Sequence, residues 1–243
     1  MVEKQQNQLG YRNMYKITLF LKYDDDDGYP IYAQRIVQED TIILRLIGYK
    51  GDINFKTTFE RCVIEVKNNQ GMYSEVERCV QVDKLVAHED KMFLYLDNDF
   101  LSAGWLEYNI FEYLEILSDC KEKRYWLNLN EEEKSNWCVS CMCFNRQPEL
   151  FHEEVVIDGR FIDSKLSFLC EFAESIIGIG GYFGSTLDGF EDCLAFGYYM
   201  DHPLRDTLKN ITVIWKHFDT CEFEGKDVVL EILEERGVTL IAE

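Results

Sequence analysis

Basic residues, prolines and long apolar runs are scarce in this chain. Its 243 residues include 25 Lys and Arg against 45 Asp and Glu, a formal net charge of −20, and only 3 prolines. Nucleic acid phosphates and anionic lipids repel such a chain, so we expect no direct nucleic acid or membrane partner. No apolar run approaches the length of a membrane span, and no apolar segment follows a basic N-terminus. We therefore expect a cytoplasmic protein without a signal peptide.

Apolar and aromatic residues and cysteines are well represented. Apolar residues make up 47% of the chain and aromatic residues 14%, which is enough for a sizeable core and excludes a disordered chain. The length suits one large or two ordinary domains. Nine cysteines, an odd number without an export signal, indicate reduced thiols rather than a disulfide framework.

The first part of the chain has the pattern of a β-rich domain. Apolar or alternating runs rich in β-branched and aromatic residues occupy residues 16–23, 31–37, 41–47, 59–66, 77–82 and 92–96. Helical spacing follows at residues 105–117, and no sequence repeat is evident. The polar residues 146–149 have the composition of a linker. We predict a β-rich α+β domain over residues 1–148, with no role that its residues identify.

The remaining residues, 149–243, alternate between strand and helix patterns. Strands are predicted at residues 154–157, 211–215 and 237–242, with a helix that Asp163 or Ser164 caps and another at 226–236. Strands joined by helices favour a parallel sheet with right-handed crossovers. Residues 155–243 carry 17 acids against 7 bases, so the second domain has the denser negative charge.

Residues 181–194 are the most informative stretch of the sequence. A glycine-rich loop with adjacent aromatic residues leads into a helix that Ser185 or Thr186 caps. At about 100° per residue, one helix face is apolar and another carries Asp188, Glu191 and Asp192. The apolar face consists of Leu187, Phe190, Cys193 and Leu194. Like charges at these spacings repel each other, so their presence suggests a cationic partner, with a solvated polar face as the alternative.

The segment Tyr-Phe-Gly-x-x-Leu-Asp-x-x-x-Asp-Cys-Leu, residues 182–194, resembles the core motif of the barstar family. Members of that family are intracellular protein inhibitors of the ribonuclease barnase. The resemblance extends over residues 155–242 and implies a three-stranded parallel sheet with helices packed on it. It also implies an inhibitor or immunity protein, an antitoxin that binds a basic ribonuclease toxin, and not an enzyme.

The resemblance further implies which residues contact the ribonuclease. They are Tyr182, Phe183, Gly184, Asp188, Glu191, Asp192 and Glu235. Asp188 and Asp192 would enter the active site and meet the cations that otherwise hold RNA phosphate. Glu191 stands where barstar has a tryptophan, so a large apolar contact becomes another acid. We also expect Cys193 to be a buried, unreactive thiol.

Two alternatives remain open. The four thiols of Cys120, Cys138, Cys141 and Cys143 could close a zinc site, but the second half of a paired-knuckle signature is missing, and a buried strand that uses cysteine as a small apolar residue is the favoured reading of residues 137–144. The N-terminal domain could instead be an enzyme or a metal-binding protein, with the acidic domain as its regulatory module. No catalytic motif or phosphate-binding loop occurs, and we expect no cofactor.

Overall fold

The computed structural model describes most of the chain in two compact units, residues 1–115 and 116–243. The described residues are 14–21, 28–40, 43–50, 58–67, 71, 73–78, 81–89, 91–96, 109–146, 154–195 and 211–243. The predicted linker at residues 146–149 lies outside them except for Arg146. The predicted domain boundary between residues 148 and 149 therefore stays a prediction, although the compact units meet earlier, between Glu115 and Ile116.

The described residues of the first unit form eight antiparallel strands. They are β1 Tyr15–Phe20, β2 Tyr29–Ala33, β3 Arg35–Asp40, β4 Ile43–Ile47, β5 Arg61–Lys67, β6 Tyr73–Arg78, β7 Val82–His88 and β8 Lys91–Leu96. One four-stranded sheet has the order β2-β1-β5-β6, and the other β3-β4-β8-β7. Buried residues alternate along β1, β4, β5 and β8, as expected for sheets with one covered face. The predicted β-rich architecture is confirmed.

The two halves of this unit repeat the same strand topology. In each half the first hairpin, β1–β2 or β5–β6, joins one sheet, and the second hairpin, β3–β4 or β7–β8, joins the other. Exchanging the halves leaves both strand orders unchanged. The sequence shows no repeat because the halves share strand order and alternation but few identical residues.

Two helices follow, α1 at Ile110–Asp119 and α2 at Glu131–Phe144, separated by a 3-10 turn at Tyr125–Asn128. A capping box starts α2, since the Asn130 side chain accepts from the Glu133 amide and the Glu133 carboxylate accepts from the Asn130 amide. The alternative of a buried strand at residues 137–144 is wrong. The sequence signal for this helix was the Asn-x-x-Glu spacing of Asn130 and Glu133, which predicts the start of a helix.

The second unit continues as the predicted α/β alternation. Its elements are β9 Glu154–Asp158, α3 Lys165–Ile177, α4 Leu187–Ala195, β10 Thr212–Lys216, α5 Lys226–Glu235 and β11 Thr239–Ala242. The three strands form a parallel sheet in the order β11-β10-β9, which confirms the predicted sheet. Ser164 caps α3 by accepting from the Ser167 amide, as one of the two predicted caps.

Aromatic rings fill the core between the sheet and its helices. The Phe168 ring on α3 stacks on Trp215 of β10 at 5.4 Å between centroids, and Phe172 meets Phe190 edge to face at 5.0 Å. All four side chains are fully buried. Such pairs add about 0.5–1.5 kcal/mol each beyond the burial of their area, so they fix α3 and α4 relative to β10.

Helix α3 is covered on a second side by α2 and by the 3-10 turn before it. Lys134 of α2 donates to Ser167 Oγ at 2.9 Å, and the Arg124 guanidinium donates to both carboxylate oxygens of buried Glu171 at 2.7 and 2.8 Å. Residues of α3 are therefore buried on most of its circumference. These contacts explain why residues 116–146 fall in the same compact unit as β9–β11. In the part of the chain that is described, no helix is long and apolar enough to cross a membrane.

Candidate functional site

Helix α4 begins at a side-chain cap. The Thr186 hydroxyl oxygen accepts from the Gly189 amide at 3.0 Å, and the Thr186 carbonyl accepts from the Phe190 amide at 2.9 Å. Thr186, rather than Ser185, is therefore the cap of the two residues predicted. The cap fixes where the helix starts and thereby which of the following residues face the core.

The apolar face of α4 packs against the core as predicted. Phe190 and Cys193 are buried, and Leu187 and Leu194 are partly buried against the same core. The Phe190 ring contacts the Phe168 ring edge to face at 5.4 Å. This packing turns the opposite face of α4 toward solvent.

The solvent face carries Asp188 and Asp192, and both side chains are exposed. The prediction that they lie on the exposed side of the helix is confirmed. They are one turn apart, about 5–6 Å between Cβ atoms, where two carboxylates repel each other. Among the described residues, no ion pair within the domain involves either of them. Asp188 in the first turn is favoured by the helix dipole, whereas Asp192 gains less from it.

Glu191 differs from these two acids because it already has a cationic partner. The Glu191 carboxylate accepts from Nη2 of Arg236, the residue that follows α5, and both side chains are about one-third exposed. The ion pair joins α4 to the C-terminal end of α5. Glu235, the last residue of α5, is exposed and lies next to Arg236 in the chain. The structure thus brings the end of α5 to the acidic face of α4.

The loop residues predicted to bind a partner are less accessible than their sequence suggested. Tyr182 is half-buried, and burial raises the pKa of its phenol well above the ordinary value. Phe183 is 1% exposed, and its ring meets the Phe172 ring edge to face at 5.2 Å. Phe183 is a core residue whose side chain has almost no surface for a partner to contact, so we leave it out of the proposed contacts. Of the two adjacent aromatic residues, only Tyr182 has any surface to offer.

Gly184 is buried, so its role is to shape the backbone rather than to contact a partner. Its φ is +96°, and a methyl group at this position would lie 2.5 Å from the Phe190 backbone nitrogen. Only glycine combines this backbone angle with so close an approach. Gly184 therefore sets the distance between the loop and the start of α4.

The cysteines of this unit are packed as apolar residues. Burial, with a smaller effect of the Asp192 charge, raises the pKa of Cys193 to about 12, so its thiol is unreactive at neutral pH, as predicted. Cys138, Cys141 and Cys143 are buried on helix α2, and Cys120 lies beyond α1. Within the described residues, which include all four, no group of three or more His, Cys, Asp or Glu side chains could hold a metal. The arrangement of these thiols gives the zinc alternative no support.

Arg236 is the residue of this site that the sequence analysis missed. An arginine just after an acidic helix predicts an interaction with the last carbonyls of that helix. The sequence does not tell that the guanidinium reaches Glu191, 45 residues earlier. That pairing depends on how α4 and α5 pack.

Comparison with known protein families bears on this unit alone. Residues 152–237 match the family model described as barstar (barnase inhibitor), and the N-terminal region matches no family. No curated protein and no solved structure matched the chain. The matched segment includes β9, α3, the glycine-rich loop, α4, β10 and α5, and the sheet order and helix placement agree with the barstar fold. The C-terminal third of the chain is therefore a barstar-family domain.

Proposed function

We propose that the chain is an inhibitor of a basic ribonuclease, an immunity protein that neutralises a ribonuclease toxin. Helix α4 and the loop before it would cover the active site of the enzyme and block entry of RNA. The contact residues would be Asp188, Asp192 and Glu235, with Tyr182 beside them. The protein would act by binding, without turnover.

The exposed pair of carboxylates on α4 is the observation that carries the proposal. Asp188 and Asp192 are held one turn apart by a helix whose other face is buried, so the arrangement persists although the two charges repel each other. Cations spaced to bind successive phosphates could neutralise both charges at once. The family match makes a ribonuclease the class of enzyme that would supply those cations.

The charge of the domain supports a basic partner as well. With 17 acids and 7 bases, residues 155–243 carry a net charge of −10. A charged surface of this kind accelerates association with an oppositely charged protein, and salt screens the effect over about 8 Å at physiological ionic strength. All of the proposed contacts lie after the predicted domain boundary between residues 148 and 149.

Inhibition of RNA cleavage tests the proposal. The full chain is titrated into barnase and into a panel of other basic ribonucleases, and cleavage of a fluorogenic RNA is followed. We expect stoichiometric inhibition of at least one enzyme and loss of inhibition in Asp188→Asn/Asp192→Asn. The matched control is Asp219→Asn/Asp227→Asn, which removes the same charge from exposed positions outside the proposed contact. Equal loss in both double variants would reduce the proposal to non-specific charge attraction.

A further inference from the structure

Two residues outside the family-matched segment contact the loop that precedes the proposed binding surface. Arg146, just after α2, donates from Nη1 to the Ile179 carbonyl at 2.6 Å. Leu117, on the last turn of α1 and 2% exposed, fills the space left by Gly180, where an added methyl group would lie 2.6 Å from Leu117 Cδ2. Both contacts fall within three residues of Tyr182.

The loop needs such support because its own composition leaves it free to move. Residues 178–184 contain four glycines, and Gly178 and Gly180 both have positive φ values, +98° and +77°. Glycine loses more conformational freedom on folding than any other residue, so a single loop conformation must be stabilised by contacts. Within the loop, the Gly181 amide donates to the Gly178 carbonyl at 2.9 Å, and Phe183 is anchored in the core, which leaves the glycines before Tyr182 to be held by contacts from outside.

The segment that carries Leu117 and Arg146 is itself fixed to the domain. Lys134 and Arg124 attach it to α3 through Ser167 and Glu171. Between these points, Cys138 Sγ of α2 packs 3.5 Å from Cys170 Sγ of α3. Further along α3, the Glu174 carboxylate accepts from the Arg124 amide at 2.9 Å, so the contacts continue toward the end of α3, where the loop begins.

We propose that Leu117 and Arg146 are positioning residues that hold residues 178–184 in the conformation that binds the partner. The proposal rests on the proposed function for its consequence in binding. When only a fraction of molecules has the binding-competent loop, the apparent dissociation constant rises by the inverse of that fraction. Contacts from residues 116–146 would raise the fraction of free molecules that have the binding-competent loop. The residues that make these contacts lie outside the segment that matches the family model.

Hydrogen exchange of the free full-length protein tests the positioning directly. We expect the amides of residues 179–184 to exchange faster in Arg146→Met, which keeps the aliphatic stem and removes the donor, and in Leu117→Ala. Arg146→Lys keeps a donor and should recover part of the protection. Arg160→Met is the control, because Arg160 is exposed and pairs with Asp158 elsewhere in the domain. Unchanged exchange of these amides in Arg146→Met would overturn the proposal, and Arg146→Met leaves the core intact should Leu117→Ala fail to fold.

Binding to barnase provides a second measurement that separates the two proposals. We expect about tenfold weaker binding for Arg146→Met than for the parent, and parent-like binding for Arg160→Met. Where the parent binds, equally tight binding by Arg146→Met would overturn the positioning role. Faster loop exchange in Arg146→Met together with no binding of the parent to any basic ribonuclease would sustain the positioning role and contradict the proposed function.

Discussion

Glu191 on α4 forms an ion pair with Arg236 at the end of α5, so one acid of the proposed binding face is neutralised within the domain. Glu191 was predicted to contact the partner in place of the tryptophan of barstar. The pair gives it a second role, because it holds the C-terminal end of α5, and with it Glu235, beside α4. The cations of a partner would then meet Asp188 and Asp192 as uncompensated charges and Glu191 as a compensated one.

Neutralising Asp192 should weaken binding more than any other single change on α4. Removing one partner of a desolvated charge pair costs about 2–5 kcal/mol, a range taken from charged protein interfaces with the barnase–barstar complex among them. We expect this loss for Asp192→Asn, mainly as faster dissociation measured by surface plasmon resonance. Folding stability should change by no more than about 0.5 kcal/mol, because the side chain is exposed. Asp219→Asn is the control for loss of one exposed charge, and equal affinities of the two variants would contradict the role of Asp192.

Removing the charge of Glu191 should affect binding less than removing that of Asp192. Its carboxylate already pairs with Arg236, and both side chains are partly exposed. A double-mutant cycle with Glu191→Gln and Arg236→Met should give a coupling of about 0.2–1 kcal/mol in the free energy of unfolding, the range of exposed pairs. The affinity of the Arg236→Met variant for the ribonuclease shows whether Arg236 positions the acidic face. A loss of affinity for Glu191→Gln as large as that for Asp192→Asn would show that Glu191 contacts the partner directly.

Alanine at Gly184 should destabilise the domain more than alanine at Gly237. Both glycines have positive φ, +96° and +73°, which costs any other residue about 1–2 kcal/mol. A methyl group at Gly237 meets no atom within 4 Å, whereas one at Gly184 would lie 2.5 Å from the Phe190 nitrogen. Overpacking of this kind adds about 1–3 kcal/mol. Urea denaturation of the two variants measures the difference, and equal stabilities would show that the start of α4 can shift without cost.

The stability difference between the parent and Glu174→Gln should depend on pH. Burial raises the pKa of Glu174 above its ordinary value of 4.5, although its carboxylate accepts from the Arg124 amide at 2.9 and 3.0 Å. The folded protein therefore binds the proton more tightly than the unfolded chain does. Its contribution to stability is complete below pH 4.5 and is lost as the pH rises through the raised value.

Lowering the pH from 7 to 5 should accordingly favour the parent over Glu174→Gln in urea denaturation. Glu154→Gln, on the exposed side of β9, is the control for removal of one carboxyl group. The assigned effect of burial would be contradicted if the difference in free energy of unfolding between the parent and Glu174→Gln stayed constant with pH. It would also be contradicted if the variant gained stability relative to the parent in acid.

Sequence periodicity predicted β9, α4, β10 and α5 because each of these elements buries one face. Leu187, Phe190 and Cys193 recur at helical spacing, and this alone placed Asp188 and Asp192 in solvent. The motif at residues 182–184 did not tell which of its two aromatic rings is buried. That depends on the conformation of the loop, in which Gly184 has a positive φ and the preceding Phe183 lies in the core.

Contacts between distant segments could not be predicted from the sequence. Arg236 reaches Glu191, Arg146 reaches Ile179, and Leu117 reaches Gly180, and each pairing follows from how whole elements pack. The repeated topology of the first unit was missed for a related reason, since strand order is a property of pairing and not of local pattern. The capping box at Asn130 and Glu133 was a local signal and could have identified α2.

The most direct measurement of the central claim is the titration of a basic ribonuclease with the full chain, carried out at low and at physiological salt. The proposed function predicts inhibition at one inhibitor per enzyme molecule, with association that slows as salt is added and inhibition that is lost in Asp188→Asn/Asp192→Asn. Undiminished RNA cleavage by barnase and by every other basic ribonuclease tested, at an excess of the parent protein, would contradict it. So would inhibition by Asp188→Asn/Asp192→Asn as strong as that by the parent.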